Sequence, residues 1–144
     1  MRLGVLHLAG SAIALCALHS ATDAARAHHS HAMFDFESHV EMTGTVREFK
    51  WTNPHSWLHL EAVGAQGEPV VYAIEMGAPA GLAYQGWSPS TVAPGDRVLV
   101  SIHPLLDGRP GGELRYITLS DGTSLGEGHE DAEFQTESLR NNDP

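Results

Sequence analysis

Cysteine is almost absent from this chain: there is one in 144 residues, Cys16, and it lies in the first apolar stretch. A single thiol cannot close a disulfide within the chain or build a thiolate site, so any metal must be held by His, Met, carboxylate or a chain terminus. Basic side chains are scarce too, with 8 Lys and Arg against 18 Asp and Glu and a formal net charge of −10. That balance excludes nucleic acid as a partner, because its binders gain most of their affinity from cations set against phosphates. The longest apolar run, Leu3 to Leu18, is interrupted by His7 and falls short of the roughly 20 residues a membrane span requires. Catalytic signatures are also missing. The chain has no Gly-x-Ser-x-Gly elbow, no His-Glu-x-x-His helix and no lysine in the glycine-rich Gly108 to Gly112 segment. His55 and Ser56 are neighbours on a strand pattern and point to opposite faces, so they cannot act as a dyad.

What the chain has in quantity is histidine. Arg2 gives a positive start, Leu3 to Leu18 an apolar stretch, and Ala25 and Ala27 the small residues of a signal-peptidase site, so residues 1–27 read as a cleaved signal peptide. Cleavage would leave 117 residues, enough for one small domain, beginning His28-His29-Ser30-His31. A terminal histidine chelates through its amine and ring together, and His29 and His31 add further imidazoles, a donor set that suits copper, zinc or nickel. After residue 27 the eight histidines outnumber the six Lys and Arg, which favours cation binding or pH response over plain solvation. This reading makes the protein periplasmic or secreted, with no membrane span after processing. N-terminal sequencing of exported protein is expected to start at His28; a start at Ala24 or Ala25, or an uncleaved chain, removes the amine chelate.

Residues 28–39 form a His-rich leader, and a strand pattern follows. Val40, Met42, Gly44 and Val46 alternate with polar residues, after which the parity slips and Phe49 and Trp51 take the apolar positions. The slip predicts a β-bulge near Arg47 in a long, bent first strand. Asn53-Pro54 turns the chain. His55 to Val63 alternates again, with Leu58 and Leu60 on one face and His55, Trp57, His59 and Glu61 on the other. The Gly64 to Pro69 connection leads to a third strand through Val70, Tyr72, Ile74 and Met76, and Ala78 to Gln85 reads as a short helix with Pro79 in its first turn. Pro94-Gly95-Asp96 launches a fourth strand, Arg97 to His103, and beyond the Asp107 to Gly112 turn lies a fifth, Glu113 to Ser120. Three strands, a short helix and two strands over residues 40–120 is the order of an all-β, five-stranded OB-like Greek-key barrel. A five-stranded sandwich fits the same order. From Asp121 to Pro144 the chain is rich in Gly, Glu and Asp, and residues 121–144 read as a disordered acidic tail whose removal should leave melting unchanged within about a degree or two.

The stretches HHSHAMFDFE (28–37), GTVREFKWTNPHSWLHLE (44–61), EMG (75–77), GW (86–87) and PGDRVLVSIHPLLDGRPGG (94–112) resemble a proteobacterial family of small exported proteins known only as a domain of unknown function. The NPH and PGDRV blocks are the most specific of these. The resemblance implies export and a compact domain and carries no activity with it. There is also a weaker likeness to small periplasmic OB-fold copper chaperones, which bind Cu(I) through Met and His beside a tryptophan. This chain has Met33, Met42, Met76, Trp51, Trp57 and Trp87, but not the closely spaced Met-x-Met strand motif of those proteins, so only their soft-ligand logic carries over.

In an OB-fold the loops joining strands one to two and four to five flank one binding surface, and His55 opens strand two while His103 closes strand four. The 12-residue leader, if extended, covers up to roughly 40 Å. The expected metal site is therefore His28 with its amine, His55 and His103, with His29 or His31 as substitutes and Asn53 and Asp107 as orienting partners. His59 stands about 13 Å from His55 along the strand and cannot share its ion. His39, His59 and His129 read as surface residues. The function this implies is transition-metal binding, copper first, for handling or sensing. The competing reading is a non-catalytic interaction module whose face around Trp51 and Trp57 binds another periplasmic protein or a small apolar ligand, with Asn53-Pro54-His55 as turn chemistry only. A metal-dependent enzyme is a third reading, since an open copper site at a terminal histidine supports oxidation, although no substrate groove is legible.

Overall fold

The computed structural model describes residues 31–127 and divides into two units. The described part of the first is one 3-10 turn, His31–Met33. The second begins at Phe34 and contains six strands and a short helix: β1 Val40–Lys50, β2 Trp57–Val63, β3 Pro69–Glu75, α1 Pro79–Tyr84, β4 Arg97–Pro104, β5 Gly111–Thr118 and β6 Ser124–Gly126. No helix among the described residues is long and apolar enough to cross a membrane.

Strand β1 does two jobs, and its sequence shows how. Residues 40–45 pair with β4 and residues 44–50 with β2, so the strand hands over from one partner to the other at Gly44 and Thr45. A Cβ on Gly44 would stand 2.5 Å from the Glu61 carbonyl oxygen and 2.7 Å from Leu60 Cγ, so only glycine allows this close approach. Beyond it the register with β2 shifts between Val46 and Glu48, making Arg47 the extra residue of a β-bulge. The bulge explains the change of parity, because Val46 before it and Phe49 after it both face the core.

Strands β1, β2 and β3 form an antiparallel meander, β4 pairs with the start of β1, and β5 returns antiparallel to β4. A parallel pairing of Ala73–Glu75 with Gly111–Glu113 then joins β3 to β5 and closes a five-stranded barrel. That closure is the OB arrangement and excludes the sandwich. The interior is filled by Val46, Leu58, Leu60, Ile74, Val98, Val100, Ile102 and Ile117, all at most 1% exposed. Each contributes about 1.5–3 kcal/mol relative to an exposed side chain. Leu82 of α1, with Met76, Trp87 and Val92, belongs to the same cluster.

The structure moves one boundary. Folding does not stop at Ser120: β6 pairs with β5 through Tyr116, Ile117 and Thr118, and Leu125 packs against the core. Residues 121–127 therefore leave the tail, and residues 128–144 lie outside the described part. The reason is local: a lone leucine in a polar segment gives no periodicity, yet one buried side chain and a short ladder are enough to add a three-residue strand to an open edge. Truncation after Gly122 is accordingly expected to destabilise the barrel, and Leu125→Ala to cost about 2 kcal/mol. Thermal melting checks both, and an unchanged midpoint for Leu125→Ala would show that this contact carries no weight.

Candidate functional site

The site region is built on the ends of β2, β3 and β4. After the cis Asn53-Pro54 bond, the Ser56 amide donates to the Gly77 carbonyl and the Met76 amide to that of Ser56 (3.1 and 2.9 Å), extending the β2–β3 pairing past the strand ends. Alternation then turns Ser56 inward, fully buried, and His55 outward with Trp57. His55 Nδ1 meets Glu75 Oε1, and Glu75 is only 9% exposed. A nearly buried carboxylate thus fixes the imidazole and leaves Nε2 directed away from it.

His103 is held from the other side of the barrel. Its Nδ1–H donates to the Ser38 carbonyl at 2.8 Å and its ring lies 5.0 Å from that of Phe36. The leader is shaped to present that carbonyl. Phe34 bridges to Leu105, the Asp35 amide donates to Pro104 (2.8 Å), and the Asp35 carboxylate accepts from the Glu37 amide and the Ser38 hydroxyl (3.1 and 2.6 Å). Residues 34–38 are therefore a turn clamped to the end of β4.

Register relates His103 to Glu75, the side-chain partner of His55. Trp57 pairs with Glu75, Glu75 with Glu113, and Glu113 with His103, a single row across β2, β3, β5 and β4. With strands spaced about 4.8 Å apart, Glu75 and His103 stand roughly 10 Å from each other at the backbone. His103 and Glu75, the partner of His55, thus share one row, while His55 itself lies two residues before Trp57 and outside it. Among the described residues, no group of three or more His, Cys, Asp or Glu side chains is placed to hold a metal ion. His28 and His29 lie outside the described residues, and His31 is in the 3-10 turn of the first unit.

The orienting partners differ from those expected. Asp107 is engaged by Arg109, whose Nε donates to it at 2.7 Å, and the Arg109 backbone amide followed by its side chain holds the Asp107 carboxyl below the usual carboxylate range. Glu75 and the Ser38 carbonyl do the orienting instead. Glu75 was within reach of sequence reasoning: a hairpin with Val63 opposite Pro69 sets Trp57 opposite Glu75. The Ser38 carbonyl had no such signal, because it depends on a turn closed by Asp35. His59 faces Glu48 across the β1–β2 ladder, 3.5 Å away, apart from this row.

The tryptophans divide between two environments. Trp87 is buried beside α1, and Trp51 packs on the core with Phe49 at a ring distance of 5.9 Å, whereas Trp57 belongs to the outer row next to Glu75. Trp51 and Trp57 therefore do not make one face. A cavity of about 380 Å³ opens between the end of β3, α1 and β5, and Met76, Trp87, His103, Leu114 and Arg115 line it.

Neither the curated proteins nor the solved structures contain a match to this sequence. A protein-family model does match it over residues 15–114, from the end of the N-terminal apolar stretch through the first half of β5. The chain belongs to that family, described as a family of unknown function, DUF6152.

Proposed function

We propose that this protein binds a transition metal, copper first, for handling or sensing, with His55 and His103 as imidazole donors. The observation that carries the reading is shared by both residues: an oxygen acceptor fixes Nδ1, the glutamate carboxylate for His55 and a backbone carbonyl for His103. Metal-binding histidines are typically held this way, since the bond sets the tautomer, orients the ring and makes Nε2 the better donor. Copper is preferred among the candidates because Met76 borders the same cavity as His103, and a thioether beside an imidazole suits a soft metal. His28, His29 and His31 are the further donors of the proposal, and export through a signal peptide spanning residues 1–27 is part of it.

Calorimetric titration of the chain beginning at His28 with Cu(II) tests the proposal. One metal per chain, bound in competition with protons as imidazole ligands require, is the expected result. A His55→Ala/His103→Ala double variant that binds like the parent overturns it and leaves the interaction-module reading in its place.

A further inference from the structure

One end of the barrel is covered by α1, which follows the end of β3; the region around the start of β3 is open. There a second cavity, about 340 Å³, lies between the β2–β3 hairpin and the β4–β5 loop. Its walls are inner-face side chains. Val40 and Met42 are in register with Ile102 and Val100, and Val70 and Tyr72 with Ala62 and Leu60, so all four belong to the face that elsewhere forms the core. Val40 nonetheless remains 43% exposed. Apolar groups on the inside of a barrel, left open to solvent at its mouth, are the usual lining of a small-molecule site of this size.

The rim supplies a charge. Glu68 and Arg109 both border the mouth, but they are not equivalent. Arg109 is neutralised by Asp107, its guanidinium Nε donating at 2.7 Å. The Glu68 carboxylate folds back over Gly64, 2.6 Å from where a Cβ on that residue would lie, and no hydrogen bond or ion pair engages it among the described residues. The mouth therefore offers an apolar body, an aromatic ring in Tyr72, a thioether in Met42 and one uncompensated negative charge.

We infer that the open barrel mouth binds a compact apolar monoamine, its hydrocarbon body against Val40, Met42 and Tyr72 and its ammonium group beside Glu68. Charge decides against the alternatives of the same shape. An anionic ligand would meet Glu68 and a chain of net charge −10, and a neutral one would gain nothing from the solvent-facing carboxylate. Tyr72 adds to the preference, since an aromatic face attracts a cation and Met sulfur packs well against a ring. This site is separate from the histidine row and does not depend on metal binding.

Three probes of nearly equal shape test the inference: 2-phenylethylamine, 2-phenylethanol and 3-phenylpropionate, each titrated into the metal-free chain with backbone amide NMR shifts as the readout. Shifts are expected at Val40, Val70, Tyr72 and Gly111. The amine is expected to bind about three- to fivefold more tightly than the alcohol, as a solvent-facing ion pair allows, and the carboxylate most weakly. Glu68→Gln should abolish the difference between amine and alcohol while leaving alcohol binding intact, and Val40→Asp should weaken the alcohol. Absence of shifts up to the solubility limit, shifts centred on Trp87 and Met76, or equal affinity for the three probes overturns the proposal.

Discussion

Replacing His55 by alanine is expected to weaken Cu(II) binding about tenfold or more, and replacing His103 to do the same, while His129→Ala leaves binding unchanged. The sharper variant is Glu75→Gln. It keeps the shape and the burial but removes the carboxylate that fixes His55 Nδ1, and loss of such an orienting partner typically costs about 10- to 100-fold in affinity. Glu75→Gln should therefore approach the effect of His55→Ala without touching a proposed ligand. His103 gives a complementary result, because its partner is a main-chain oxygen held by Asp35. Asp35→Ala removes the acceptor of the Ser38 hydroxyl and is expected to weaken binding by a smaller factor than His103→Ala. One extra residue fused ahead of His28 should also hurt, by moving the amine out of its chelate ring. Calorimetry on these variants, with thermal melts to confirm folding, is the measurement. Parent-like binding by both single histidine variants would mean that the folded domain holds no copper site.

The barrel was legible because its signals are local and mutually consistent. Alternation gave the strands, the parity slip at Arg47 gave the bulge, and Pro79 marked the first turn of α1. Strand order followed from the helix lying between the third and fourth strands. The site was legible only in part. His55 and His103 were readable as residues at strand ends flanking one surface, and the register row between β2 and β4 contains His103 and Glu75, the partner of His55, but not His55 itself. Their partners were less accessible. Glu75 becomes visible once hairpin register is counted, but the Ser38 carbonyl requires the clamped turn at Asp35, and a backbone acceptor has no residue type to betray it. Likewise, the separation of Trp51 from Trp57 follows from the change of course between β1 and β2, which period-two reading does not carry across the Asn53-Pro54 turn. Strand β6 was missed because three residues with one leucine fall below any periodicity test.

Gly112→Ala is expected to destabilise the barrel strongly. Gly112 sits at the seam where β5 meets both β3 and β4, in register with Ile74 on one side and Pro104 on the other. A Cβ there would lie 2.2 Å from the His103 carbonyl oxygen and 3.0 Å from Ile102 Cδ1. The first contact is with backbone, so no rotamer change relieves it, and β4 and β5 must separate where the barrel closes. Overpacking of this kind costs about 3 kcal/mol or more, which in a domain of this size lowers the melting temperature by roughly 12–20 °C. Gly81→Ala is the contrast. Gly81 lies within α1, with nothing inside 4 Å of the added carbon, so alanine should stabilise the domain by up to about 1 kcal/mol through helix propensity and a less free unfolded chain. The same methyl group thus moves stability in opposite directions at two glycines, and thermal denaturation of the pair measures it. Because the Gly112 clash bears directly on the His103 backbone, Gly112→Ala should also weaken Cu(II) binding at temperatures where the variant remains folded, whereas Gly81→Ala should not. A Gly112→Ala melt within about 2 °C of the parent would show that the β3–β5–β4 seam is looser than this register requires.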